Sequence, residues 1–144
     1  MAKTMTSPAY TTEILRLAAS LTEAHPLERE DGRAELRSPT CGSRIAIAIK
    51  LDEDRRVELL SQEVKACAFG QASAALVERH GVGRNHGEIA DALVSLSRWL
   101  AEEQEECGEW PGIAVLEPAR SRKGRHGAIL LPFRALLKAI EEAQ

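Results

Sequence analysis

The chain has 144 residues and a formal net charge of −3, with 44% hydrophobic, 28% charged and 3% aromatic residues. These values fit one globular domain, residues 1–144, whose core rests on Ala, Leu, Ile and Val rather than on aromatic rings. They exclude the basic footprint of a nucleic-acid binder, and three cysteines are too few, and odd in number, for the disulfide framework of a small secreted domain.

The opening stretch MAKTMTSPAYTTEIL holds no continuous apolar run, so neither a signal peptide nor a membrane partner is expected and a reducing cytoplasm is the natural setting. Residues 12–23 carry Ile14, Leu15, Ala18 and Leu21 at helical spacing, with Thr11 or Thr12 as the cap. HPLEREDGR breaks that helix, AELRS is a short candidate strand, and Pro39 leads into the turn Thr40-Cys41-Gly42-Ser43. From Arg44 the pattern alternates, Ile45, Ile47, Ile49 and Leu51 on one face and Ala46, Ala48 and Lys50 on the other, as a sheet covered mainly on one side requires. DEDRR then turns the chain and VELLSQEVKA returns it, which predicts an antiparallel hairpin over residues 44–66. Cys41 precedes the first arm and Cys67 follows the second, so the hairpin brings both to one end.

AFGQASAALVERHG, after Cys67, is a small-residue helix with His80-Gly81 as its stop. NHGEIADALVSLSRWLAEEQEE is the next helix, with Ile89, Leu93, Leu96 and Leu100 on one stripe and an acidic end that frays against the helix dipole. IAVLEPARSRKGRHGA holds five basic side chains, Arg120, Arg122, Lys123, Arg125 and His126. The final helix ILLPFRALLKAIEEAQ tolerates Pro132 only if that residue sits in the first turn.

Where a strand feeds a helix, unpaired amides and the positive end of the dipole favour a thiolate, which makes Cys67 a ligand or nucleophile candidate. Cys41, in a Pro-Thr-Cys-Gly turn, has neighbours small enough to leave the sulfur open to a ligand. A metal or cluster site needs further donors, and His126, in a glycine-flanked turn, is the best placed by sequence. His25, His80 and His86 read as linker or helix-end residues, and Cys107, among acidic neighbours in a loop, is a poor nucleophile.

The run SPTCGSRIAIAIKLDEDRRVELLSQEVKACAFGQASAALV resembles the NifU-like N-terminal domain of the iron-sulfur cluster assembly scaffolds, the domain shared by the IscU and SufU types. A Cys-Gly turn, an alternating hairpin and a second cysteine opening a small-residue helix carry the resemblance, which extends through ADALVSL and PARSRKGRHGAILLPFRALLKAI. It implies an α+β domain, a three-stranded antiparallel sheet with helices packed on one face and a metal site at the sheet's end. It also implies a scaffold rather than an enzyme. Such a scaffold takes sulfur as persulfide from a cysteine desulfurase, combines it with iron in a transient 2Fe-2S cluster, and passes the cluster to apo iron-sulfur client proteins. Some members bind zinc at the same position.

Carried onto this chain, the resemblance makes Cys41 and Cys67 ligands and Cys67 the persulfide acceptor. Ser43 stands where the family carries an aspartate. Gly127 takes the place of a third cysteine, with His126 matching the histidine before it; a shift of one residue puts His126 at the cysteine position itself. The implied ligand set is Cys41, Cys67 and His126, which an exogenous thiol, a second subunit of a homodimer or Cys107 could complete. Two other functions compete with the scaffold. One is a zinc-regulated persulfide acceptor that stores no cluster, and the other a non-catalytic module whose basic loop, Arg120 to His126, docks an acidic partner.

Overall fold

The alternation that begins at Arg44 becomes the central strand of a sheet in the computed structural model, which describes residues 10–39 and 42–143. Strands β1 (Gly32–Arg37), β2 (Arg44–Leu51) and β3 (Val57–Lys65) form an antiparallel sheet in that order. Ile47 pairs with Ala34 on one side and Gln62 on the other, and Ile45 with Leu36 and Val64, so one face is an apolar layer broken by the buried Gln62, whose Nε2 donates to the Ala74 carbonyl at 2.9 Å. On the opposite face Arg44 reaches Glu35 at 3.4 Å and Glu63 at 3.6 Å. The small side chains of Ala46 and Ala48 leave room there for the segment after the first helix, whose His25 N–H donates to the Ser61 hydroxyl at 2.8 Å.

Four helices, α1 (Thr12–Ala19), α2 (Ala68–His80), α3 (His86–Leu100) and α4 (His126–Glu142), complete the α+β fold that the resemblance implies. Helix α4 lies across β1 and β2, α2 packs on β3 and α4, and α1 and α3 flank them. Gly32 lets α4 settle on the sheet, because a Cβ there would clash with the Ala139 carbonyl. The core is built of Ile, Leu and Ala, with Phe69, Phe133, Trp99 and Trp110 as its few rings.

Helix starts follow local chemistry. Thr11 Oγ1 accepts the Ile14 N–H at 3.1 Å, which settles the α1 cap between the two candidate threonines. Asn85 and Glu88 form a reciprocal capping box on α3. Helix ends differ from expectation. Helix α1 stops at Ala19 rather than at residue 23, because the Ser20 hydroxyl takes the Leu17 carbonyl at 2.6 Å and Thr22 is held by the Glu78 carboxylate.

The first-turn position expected for Pro132 is also corrected. Helix α4 starts at His126, which puts the proline in its interior. Proline cannot donate to the carbonyl four residues back and disturbs the turn before it. The carbonyl left without that donor, Ala128's, lies beside Gly70, and the next one, Ile129's, accepts from the buried Ser73 hydroxyl at 2.5 Å.

Candidate functional site

The sheet register fixes one end of the molecule. Arg37 pairs with Arg44 and Arg44 with Lys65, so the turn between β1 and β2 and the junction between β3 and α2 lie side by side. The turn is closed by the Ser38 N–H donating to the Ser43 carbonyl at 2.8 Å and the Gly42 N–H donating to the Ser38 carbonyl at 3.0 Å. Gly42 sits at φ +73°, a left-handed conformation that explains the glycine after the cysteine. Cys41 lies outside the described residues. Ser43 is 4% exposed and belongs to the closed end of the hairpin rather than to an open rim.

Cys67 is the N-cap residue of α2, half-buried, with extended backbone at φ −67° and ψ 173°. Cys67 makes no side-chain cap hydrogen bond to the first turn of α2, and the positive end of the helix dipole faces its side. Arg125, the N-cap residue of α4, likewise makes no side-chain cap hydrogen bond. The two starts meet through Gly70, where a Cβ would stand 2.6 Å from the Ala66 Cβ and 3.3 Å from the Ala128 Cβ. This contact brings the first turn of α4 to the sheet end that holds Cys67.

His126 opens that turn. Its Nε2 lies 2.8 Å from the Ala119 carbonyl. A carbonyl only accepts, so in the neutral ring Nε2 carries the proton and Nδ1 keeps its lone pair. This is the arrangement in which a histidine ligand is oriented by a second hydrogen bond. Gly127 follows, half-buried and without a side chain to add a donor. Sequence reasoning misses the partner: Ala119 ends a 3₁₀ segment, Ile113–Ala119, in a stretch whose only local signal is a short apolar run.

No family model and no curated protein matches the chain. Among solved structures it is similar to a nitrogen-fixing NifU-like protein (N-terminal) from Brucella abortus, at 30% identity over 92% of each chain with a TM-score of 0.85. The chain belongs to the NifU-like family of IscU and SufU type. It shares its fold with a protein from Fervidobacterium islandicum AW-1 described as an iron-sulfur cluster assembly scaffold for the SUF system, at 18% identity, 92% and 96% coverage and a TM-score of 0.80.

Around the sheet end of this NifU-like chain, Arg37, Lys65, Lys123 and Arg125 are exposed. The basic loop is narrower than its sequence suggests. Arg120 turns inward, donating to the Trp99 carbonyl at 2.7 Å and the Gln104 carbonyl at 3.0 Å with its guanidinium 5.1 Å from the Trp99 ring. The remaining candidates lie elsewhere. His80 ends α2, at the opposite terminus from Cys67, and His86 bonds Glu141 near the far end of α4. His25 sits against Ser61 on the outer face, and Cys107 precedes Gly108, which packs on Ser95 of α3. Among the described residues, which do not include Cys41, no three His, Cys, Asp or Glu side chains gather closely enough to hold a metal ion.

Proposed function

We propose that this chain is an iron-sulfur cluster assembly scaffold, a carrier rather than an enzyme, with Cys41, Cys67 and His126 as the donors that hold a transient 2Fe-2S cluster before it passes to apo client proteins. The reading is supported, in a NifU-like chain, by the register that sets the turn before β2 beside the β3–α2 junction and by the Gly70 contact that brings the first turn of α4 against the first turn of α2. The cluster is cargo here. Three protein donors leave a four-donor sphere one short, which suits a group that must leave again.

Sulfur arrives by exchange. The Cys67 thiolate attacks the outer sulfur of a persulfide on a cysteine desulfurase, that S–S bond breaks, the donor cysteine leaves as thiolate, and Cys67 carries the persulfide. The exposed Lys65, Lys123 and Arg125 leave a rim that suits an acidic docking face.

Anaerobic reconstitution with ferrous iron and sulfide, read by absorption and Mössbauer spectra, tests the proposal. The native chain is expected to bind a cluster, Cys41→Ala and Cys67→Ala to lose it, and His126→Ala to release it faster. A native chain that binds no cluster overturns the scaffold reading. Gly127, where the family carries a third cysteine, supports a second function, a persulfide acceptor that stores no cluster and whose site zinc holds until a partner thiol competes for it. Persulfide on Cys67 without cluster formation selects it.

A further inference from the structure

Beside the C-terminal half of α2, away from the end that carries Cys67, α1, α2 and the Ile113–Ala119 segment enclose a groove of about 320 Å³. Its volume lies at the small end of the range for small-molecule sites. Leu17, Leu76 and Val115 form the floor. Leu17 and Leu76 are core residues, so the floor is fixed rather than a chance contact of mobile side chains.

The rim is charged. Arg16 on α1 and Arg79 on α2 stand over the floor, both exposed, and neither has a carboxylate within ion-pair distance among the described residues. Glu13 is the one acidic group lining the groove, which leaves a net single positive charge from the two arginines and one glutamate. His80 adds none at neutral pH: burial, then the Arg84 and Arg79 cations, hold its imidazole below the usual value. The combination is specific in chemistry. Two guanidiniums from adjacent helices can share one carboxylate in the paired geometry that arginine favours, and the apolar floor rewards a hydrocarbon body.

We propose that this groove binds a small organic monoanion, its carboxylate between Arg16 and Arg79 and its apolar body on Leu17, Leu76 and Val115. The site is separate from the cysteine end and stands whether or not a cluster is assembled there. Titration of the ¹³C-methyl-labelled full chain with octanoate is the test, with octanol as the uncharged control. Octanoate is expected to shift the methyl signals of Leu17, Leu76 and Val115 saturably. Binding should weaken about fivefold or more in Arg16→Gln and in Arg79→Gln, and for octanol relative to octanoate. Arg98→Gln, at an exposed arginine on α3, should bind as the native chain does. Octanol binding as well as octanoate, arginine variants binding as tightly as the native chain, or shifts centred on other methyls would each overturn the proposal.

Discussion

Gly70 shows how one side chain, or its absence, holds the site together. Helix propensity favours alanine over glycine by about 1 kcal/mol in a helix interior. Here the added methyl would stand 2.6 Å from the Ala66 Cβ and press on Ala128, and overpacking of this kind costs about 1–3 kcal/mol. Gly70→Ala is therefore expected to destabilise the chain by up to ~2 kcal/mol despite its better propensity, and to push the first turn of α4 away from Cys67. Denaturant unfolding measures the first effect; a variant as stable as the native chain would show that the two helix starts have slack between them. At the same scale, the place of Cys67 just before α2 could be read from the sequence. The ring nitrogen left to His126 could not, because it depends on the Ala119 carbonyl, which only the folded chain presents.

At the scale of elements, the strands obeyed their pattern and the helix ends did not. Period-two alternation fixed β2 and β3 and, through the hairpin, the place of Cys67 at one end of the sheet. Helix ends instead depend on single competing hydrogen bonds. Helix α3 stops at Leu100, short of its predicted acidic tail, in a Schellman turn: Glu103 N–H returns to the Arg98 carbonyl at 2.9 Å and Glu102 N–H to the Trp99 carbonyl at 3.1 Å. Glu102 adopts φ +63° to close it, a conformation that costs a residue with a Cβ about 1 kcal/mol. Glu102→Gly should thus stabilise the chain by about 0.5–1 kcal/mol, seen as a higher denaturation midpoint at unchanged slope. A lower midpoint would mean that the glutamate contributes more through its side chain than its backbone costs. Pro132 likewise lies inside α4, in a turn that Ser73 and Gly70, remote in sequence, pack against.

For the whole molecule, charge groups tie distant segments and make stability depend on pH. Asp31 accepts the Leu51 N–H at 2.8 Å and lies near Arg29, and Glu88 takes the Asn85 N–H at 3.0 Å and Arg56 at 2.8 Å. In each case the backbone hydrogen bond, then the nearby arginine, holds the carboxyl below its usual range. His80 is held low by burial and neighbouring cations. All three groups bind protons more readily in the unfolded chain, so stability falls as pH falls. The His80 contribution is full above the ordinary imidazole value of about 6.5 and is lost below it; the carboxylate contributions remain until pH drops below about 4.5. His80→Gln is expected to flatten the upper limb of a stability–pH curve measured by urea unfolding and to leave the acid limb in place. An unchanged upper limb would remove His80 from the account.

None of the helices is long and apolar enough to cross a membrane among the described residues. By itself, the sequence determined what depends on neighbours along the chain: the alternating hairpin, the helices after each turn signal, and a core of small aliphatic residues. These follow from backbone periodicity and turn chemistry, which act over a few residues. Tertiary structure alone decided that α4 meets α2 at Gly70, that His126 offers Nδ1, that Arg120 points inward, and that Arg16 and Arg79 share a groove. Each of these rests on packing between residues far apart in sequence, where volume and hydrogen-bond partners select among arrangements that local pattern leaves equal.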